Sequence, residues 1–319
     1  QVFSPGLFLF FKKTDMNKWT TEKIGDLNGK RIVITGSSHG IGYEAAGVLA
    51  SKGAEVILAV RNREKGEKAA AKIRAMNGSQ PVVVMNLDLT DLESVKKFAE
   101  EFKSRYDRLD VLINNAGVMV PPYKKTKDGF ELQFGTNHLG HFALTGQLLP
   151  VLMNTPSSRI VSTSSIAARR AKIHFDNLDG SKGYRPMKFY RQSKYANLLF
   201  AIELQNRLKS AGSSTISVAC HPGISATNLL SRGKGRETGR VMKALLRLVA
   251  QPASMGALPT LCAATHPELK GGEYFGPEGP GNTRGYPVLN NDPARLYNPD
   301  ISARLWEVSE ALTGTRYSI

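Results

Sequence analysis

Tyr190 and Lys194 stand four residues apart in Tyr190-Arg191-Gln192-Ser193-Lys194, a spacing that puts both side chains on one face of a helix. A free tyrosine has a pKa of about 10, too high for efficient proton transfer at neutral pH. A neighbouring ammonium favours the phenolate and pulls that value down. The pair could therefore serve as an acid–base toward a carbonyl or hydroxyl oxygen. Tyr-x-x-x-Lys is common by chance, so its weight depends on what accompanies it.

The second chemical feature is Thr35-Gly36-Ser37-Ser38-His39-Gly40-Ile41-Gly42, which follows an apolar run and leads into a helical stretch. Gly36 permits a sharp strand-to-helix turn, Gly40 lets backbone approach a pyrophosphate, and Gly42 allows close helix packing. Free N–H groups at the helix start then face the anion, with the helix dipole in support. The spacing is G-x3-G-x-G, not the commoner G-x-G-x-x-G. The end of the next strand reads Leu58-Ala59-Val60-Arg61-Asn62. A site for NAD usually carries an acid there for the ribose 2′-hydroxyl, whereas a guanidinium suits a 2′-phosphate. Arg61, with His39 leaning on the phosphate, favours NADP(H) over NAD.

The elements that must position these groups alternate along the chain. Strands are expected at Arg31–Thr35, Glu55–Val60, Val82–Asn86, Val111–Asn114, Arg159–Thr163 and Thr215–Cys220. Helices are expected at Tyr43–Lys52, Glu64–Asn77, Leu92–Tyr106, Phe130–Met153 and Phe189–Ser210. This alternation predicts an α/β, Rossmann-type doubly wound parallel sheet in a single domain. The expected domain spans 27–319 after an N-terminal extension, 1–26. Asn228–Gln251 has apolar residues at near-helical spacing and six basic residues (Arg232, Lys234, Arg236, Arg240, Lys243, Arg247) against Glu237. It reads as a substrate lid, with anionic lipid contact as the sharper alternative. A tail follows over about 271–319, in which Gly271–Pro287 reads as a Gly/Pro-rich loop and Ile301–Leu312 as a helix with Leu305 and Val308 inward.

With 319 residues, 41% hydrophobic and 22% charged, the chain can bury one large core. No run reaches the roughly 18 apolar residues of a membrane-spanning helix. Gly6–Phe11 is far shorter, and Lys12 and Lys13 follow it, the reverse of a signal peptide. Residues 1–15 read as translated upstream sequence, or else as the remnant of a membrane anchor; the plainer reading is preferred. The net charge of +16 raises nucleic acid or an anionic membrane as partners. The charge is spread along the chain without a nucleic-acid motif, so no nucleic-acid partner is expected. Cys220 and Cys262 form no C-x-x-C pair, which argues against zinc or a disulfide framework and fits a cytoplasmic setting.

Taken together, the motifs resemble the short-chain dehydrogenase/reductase family over about residues 27–312. The turn Gly36–Gly42, including Ser38, His39, Gly40 and Ile41, is similar to that family's T-G-x-x-x-G-I-G. Asp88-Leu89 matches its adenine-side pair, and Asn114-Asn115-Ala116-Gly117 its N-N-A-G along the cofactor channel. Asn137, Ser165, Tyr190 and Lys194 match its catalytic tetrad, while Pro222-Gly223 and Thr227 match the segment at the nicotinamide end. The chain looks most like the retinol-dehydrogenase and protochlorophyllide-reductase-like branch, from Asn137-His138-Leu139-Gly140-His141-Phe142 and Ala116-Gly117-Val118-Met119. Its Gly276-Pro277, Arg284–Pro287 and Leu305-Trp306 look more like soluble bacterial relatives.

The resemblance implies that Tyr190 exchanges the proton and Ser165 hydrogen-bonds the reacting oxygen. It implies that Lys194 holds the nicotinamide ribose and lowers the Tyr190 pKa. Asn137 would hold a water linking Lys194 to solvent. The implied substrate is an apolar carbonyl or alcohol, with homodimer or homotetramer left open. Ser164 is the alternative serine if the alignment slips by one. His138 and His141 lack a third ligand at suitable spacing, so no metal is expected and packing or hydrogen bonding is their reading. A second class of function is a catalytically idle NADP-binding sensor, against which the complete tetrad argues. A third, a nucleic-acid or membrane-surface protein, has only composition behind it.

Overall fold

The strands are apolar on both faces because helices cover both. In β1 (Arg31–Thr35) the side chains of Ile32, Val33 and Ile34 are all buried, as are Val56 to Val60 in β2 (Glu55–Val60). Such runs, not alternating patterns, mark a parallel sheet sandwiched between helix layers. Each fully buried branched side chain contributes about 1.5–3 kcal/mol. The computed structural model describes residues 18–77, 81–225 and 250–319.

Six further strands complete an eight-stranded sheet: β3 (Val82–Asn86), β4 (Val111–Asn114), β5 (Arg159–Thr163), β6 (Ile216–Cys220), β7 (Tyr274–Pro277) and β8 (Pro287–Leu289). Their order is β3-β2-β1-β4-β5-β6-β7-β8. All neighbours are parallel except the final pair, which is antiparallel. The order reverses at β1, with Ile34 in register with Leu58 of β2 on one side and Ile113 of β4 on the other. A crevice beyond the carboxyl ends of strands at such a switch point is where ligands bind in open α/β sheets.

One core layer packs α1 (Gly40–Ser51), α2 (Arg63–Asn77) and α7 (Ala253–Thr265) on the sheet. The other packs α3 (Leu92–Arg105), α5 (Gly140–Met153), α6 (Pro186–Ser210) and α9 (Pro299–Thr313), with Phe142, Phe200 and Trp306 at their meeting point. Trp19 and Ile24, ahead of the expected domain start at residue 27, are buried in the first of these layers.

Three expectations are corrected. The stretch Gly271–Pro287 contains β7 and the start of β8, too short and too rich in Gly and Pro to announce themselves; Pro277 and Pro287 sit at strand ends, where a missing N–H is tolerated. The long helix expected over Phe130–Met153 is a short α4 (Leu132–Phe134), a π turn over Gly135–Leu139, and α5. Apolar spacing cannot separate an i→i+5 turn from an i→i+4 one. Helix α7 had no periodic signal to give, because Gly256 to Ala264 are buried all round. In α9 Leu305 is buried as expected, but Trp306 and Ser309 share the inner face while Val308 is half-buried. The segment read as a lid lies outside the described residues but for its last two. Among the described residues no helix is long and apolar enough to cross a membrane.

Candidate active site

β1 delivers Thr35 and Gly36 to the switch point. Gly36 has φ +66°, and a Cβ there would come within 2.9 Å of both Cα and Cβ of Ala116. The glycine thus lets the Asn114–Gly117 loop close over the turn. Its N–H donates to Ala59 O at 2.9 Å, fastening the turn to the end of β2. Gly40, φ +63°, opens α1. A Cβ on Gly42 would lie 2.5 Å from Asn115 Nδ2 and 2.9 Å from Gly36 O, so this glycine serves the fit of helix to turn and not to the sheet. No side chain caps α1 and no acid lies in its first turn. Ser38 Oγ and His39 Nδ1 stand 3.1 Å apart beside it, with Ile41 half-buried behind. An uncapped helix start behind a glycine cradle fits a phosphate group.

Arg61 is exposed just past β2 and pairs with no carboxylate among the described residues. The Asn86 amide, oriented to satisfy both groups, donates to Val60 O at 3.3 Å and Arg61 O at 3.1 Å, fixing the backbone at that strand end. Asp88 turns one carboxylate oxygen back onto Thr90, accepting from its N–H at 2.9 Å and its hydroxyl at 2.8 Å. Leu89 is buried against Gly140, where a Cβ would meet Leu89 O at 2.6 Å.

Thr35 joins the glycine turn to the loop after β4. Its hydroxyl accepts from the N–H groups of Asn115 and Ala116, each at 2.9 Å, and Asn115 Nδ2 donates to Thr35 O at 2.8 Å. Asn114, one residue earlier, donates to Thr145 Oγ1 at 2.9 Å. At Gly117 a Cβ would lie 3.2 Å from Asn137 Oδ1, a tight contact, and 3.4 Å from Lys194 Nζ. Two members of the expected tetrad therefore converge on its bare face.

Asn137 sits in the π turn, an irregularity often found at functional sites. Its Oδ1 accepts from Val118 N–H at 2.8 Å; its Nδ2 donates to Val118 O at 3.0 Å and Ser193 Oγ at 2.9 Å. Ser193 passes the connection to Tyr190 O at 2.9 Å. The side chain is thus engaged in positioning, and the backbone carbonyl lies 2.9 Å from His141 Nδ1. Lys194 Nζ donates to Thr163 O at 3.0 Å, and burial brings its pKa down to about 8. Ser165 is half-buried and its hydroxyl accepts from Ala167 N–H at 3.1 Å, while the buried Ser164 hydroxyl donates to Lys194 O at 2.7 Å. Adjacent strand-end residues point opposite ways, and Ser165 is the one on the tyrosine's side.

Burial pushes the Tyr190 phenol above its usual range, with the nearby Ser165 hydroxyl pulling the other way. The sequence expectation was a downward pull by Lys194. That ammonium is turned to the Thr163 carbonyl instead, and desolvation of the phenol outweighs the rest.

Beyond β6, Pro222-Gly223 runs against the C-terminal tail. Gly223 has φ +65°, and a Cβ there would collide with Thr283 O. Gly223 N–H donates to His221 Nδ1 at 3.2 Å, and burial holds that imidazole neutral with a pKa of about 3. Thr227 lies outside the described residues. Arg169, four residues past Ser165, was not singled out by sequence. Its guanidinium donates to Asp292 at 2.6 Å, Gly281 O at 2.9 Å and Asn282 Oδ1 at 2.5 Å, tying the serine's flank to the tail. Also unforeseen are the contacts of Gln133, whose position nothing distinguishes from an ordinary helix residue. His141, by contrast, makes hydrogen bonds to Thr35 and Asn137, in keeping with the hydrogen-bonding role expected of it. Among the described residues no group of three His, Cys, Asp or Glu side chains could hold a metal.

A strand-order switch point, an uncapped glycine turn and a tyrosine–lysine helix beside it mark a Rossmann-type α/β protein. The model of the short chain dehydrogenase family matches residues 30–235, more than half of the chain. The chain belongs to that family, which works with nicotinamide cofactors, and to its retinol dehydrogenase-like branch. Retinol dehydrogenase 11 of Homo sapiens is 43% identical over 290 residues, covering 90% of this chain and 87% of that protein. A crystal structure of an uncharacterised protein from Mycobacterium Paratuberculosis has a TM-score of 0.79 at 39% identity, covering 95% of this chain and 100% of that one. A short chain dehydrogenase from Shigella flexneri 2a str. 301, complexed with NADP, has a TM-score of 0.61 at 25% identity, covering 79% and 98%.

Proposed function

We propose that this oxidoreductase is NADP(H)-dependent and interconverts a carbonyl and an alcohol on an apolar substrate, with Tyr190 as its acid–base. The observation that carries this reading is the convergence of Lys194 Nζ, one turn along the helix from Tyr190, and Asn137 Oδ1 on the bare face of Gly117. The uncapped start of α1 would hold the pyrophosphate, and Arg61, with no competing carboxylate, would take the 2′-phosphate. Asp88 and Leu89 would border the adenine, Asn115 to Gly117 the ribose side, and Pro222-Gly223 with Thr227 the nicotinamide. A relative complexed with NADP and another named for retinol, a long apolar alcohol, support the cofactor and the substrate class.

The bound cofactor supplies or accepts a hydride at the substrate carbon. In reduction, Ser165 donates a hydrogen bond to the carbonyl oxygen and so stabilises its developing charge. Tyr190 then gives its proton to that oxygen. Lys194 carries positive charge at neutral pH, since its pKa stays at about 8, and would hold the nicotinamide ribose beside Tyr190. Asn137 keeps the Gly117–Val118 peptide in place against that ammonium. Alcohol oxidation runs the same steps in reverse.

The test is an NADPH-oxidation screen over aldehydes and ketones graded by chain length and ring content, run beside Tyr190→Phe. Turnover that rises with apolar size and vanishes in Tyr190→Phe, with NADPH still bound, is expected. Full activity in that variant sinks the assignment.

A further inference from the structure

Directly after Gly117 the chain runs Val118-Met119-Val120-Pro121, and its first three residues are half-buried and apolar. Four hydrogen bonds hold this short stretch. Asn137 binds both the N–H and the carbonyl of Val118. Gln133 Oε1 accepts from Val120 N–H at 2.9 Å, and Tyr184 OH donates to Pro121 O at 2.8 Å. Gln133 is fully buried, and its amide donates to Tyr184 OH at 3.0 Å and to Pro186 O at 2.9 Å, the first residue of the helix that carries Tyr190. The stretch is therefore pinned to the tetrad at both ends.

Within it Val120 has φ +53°. A β-branched residue in the left-handed region is an outlier, because its Cβ crowds the neighbouring carbonyl. The other non-glycine residues with positive φ among those described are Lys18, Ser157 and Asn282, none of them β-branched. Such a backbone persists only where its surroundings over-determine it, and it clusters at ligand clamps and active sites. Here the over-determination comes from Asn137, Gln133 and Tyr184.

We infer that Val118–Val120 is a rigid, pre-strained wall of the substrate pocket, that Val120 determines substrate specificity, and that Gln133 is the positioning residue maintaining its strain. The wall begins where Asn137 and Lys194 face Gly117, so an apolar substrate reaching Tyr190 passes along it. A stretch held by four hydrogen bonds yields little to a misfitting ligand, which makes its shape selective. The substrate class rests on the proposed carbonyl reduction; the strain does not.

Val120→Ala removes the two γ-methyl groups and Val120→Gly the whole isopropyl group, and the two differ in their tolerance of a positive φ. At ordinary extended backbone the alanine variant is the more stable; at φ +53° the order reverses. Val120→Gly is expected to melt about 2–4 °C above Val120→Ala. Both should lose selectivity between bulky and small aldehydes by about tenfold in kcat/KM, with the NADPH dissociation constant within about twofold of the parent. Gln133→Leu should lose the same selectivity with NADPH binding kept. Equal melting, or alanine melting higher, overturns the strain. Unchanged selectivity in the Val120 variants overturns the wall. If the parent turns over no carbonyl compound, the proposed function fails separately. The wall is then decided by the melting order and by thermal-shift binding of the same aldehydes to the NADPH complex, which both Val120 variants must alter.

Discussion

His141 Nδ1 lies 2.9 Å from the carbonyl oxygen of Asn137, one turn back along the same helix. On its other side, Nε2 lies 2.9 Å from the Thr35 hydroxyl. Burial lowers the imidazole pKa to about 4, so the ring is neutral and carries one proton. A carbonyl only accepts, which puts that proton on Nδ1 and makes Nε2 the acceptor for Thr35. Because Thr35 also receives Asn115 and Ala116, one imidazole couples the π turn to the glycine turn. His141→Phe leaves the Asn137 carbonyl without this donor and leaves the Thr35 hydroxyl only Ile113 O, at 3.4 Å. The expected loss is about 2–4 kcal/mol by urea unfolding, since each buried group left unsatisfied costs about 1–3 kcal/mol. Carbonyl reduction should fall about tenfold or more through displacement of Asn137. His141→Asn, which can still reach the Asn137 carbonyl, should recover part of both. Parent-like stability in the phenylalanine variant would remove the coupling.

Three buried histidines set the acid limit of the fold. Desolvation holds His138 to about 3, His141 to about 4 and His221 to about 3, against an ordinary value of 6.5. The unfolded chain binds protons that the folded one refuses, so stability is whole above pH 6.5 and is lost as pH falls through the folded values. The slope reaches at most ~1.4 kcal/mol per pH unit per histidine. Glu131 works in the opposite sense, because burial lifts its carboxyl to about 7 even though Gln133 and Phe134 N–H groups bind it. Its contribution is whole below pH 4.5 and is lost as pH rises toward 7. His138→Phe tests the histidine claim, since the ring already packs among Phe134, Phe142 and Phe200. Urea unfolding between pH 7 and 5 should show a shallower decline than in the parent; an identical slope would contradict the assignment.

Arg61 makes the cofactor choice measurable. It is exposed, and the amide of Asn86 holds its backbone, so Arg61→Asp should leave the melting temperature unchanged. A charge-assisted contact to a 2′-phosphate is worth about 1.5–3 kcal/mol, so NADPH should bind about tenfold or more weakly. NADH, which lacks that phosphate, should change little. Fluorescence titration with both cofactors separates the outcomes, and equal weakening of the two would take Arg61 out of the phosphate site.

Six of the seven parallel strands were legible in the sequence because burial on both faces writes an uninterrupted apolar run, as in Ile32–Ile34 and Val56–Val60. Only one end moved, from Thr215 to Ile216. The glycine turn was legible because Gly36 and Gly40 need positive φ, a demand that selects a residue type. What stayed hidden depends on side chains that distant chain segments bring together. Arg169 meets Asp292 across 123 positions, and Gln133 meets Tyr184 across 51. No local pattern records either pairing. The π turn is equally silent, since its sequence differs in no periodic way from the helix around it.

Lys194 is a buried cation whose loss the fold is built to tolerate. Its ammonium donates to Thr163 O at 3.0 Å, but Asn197 Nδ2 donates to the same oxygen, also at 3.0 Å. Removing the lysine therefore strands no carbonyl. Desolvation brings its pKa from 10.5 to about 8, so at pH 7 the folded protein holds a charge that water would solvate better. The unfolded chain keeps the proton between pH 8 and 10.5 where the folded one releases it, so this penalty is full below pH 8 and fades as pH rises toward 10.5. Lys194→Met fills the same space without the charge. It should be about 1–3 kcal/mol more stable than the parent at pH 7, and the gain should shrink by pH 10. Carbonyl reduction should be lost, because the proposed hold on the nicotinamide ribose goes with the ammonium. A variant that is both inactive and destabilised at pH 7 would mean that Lys194 supports the fold; an active one would remove it from the chemistry.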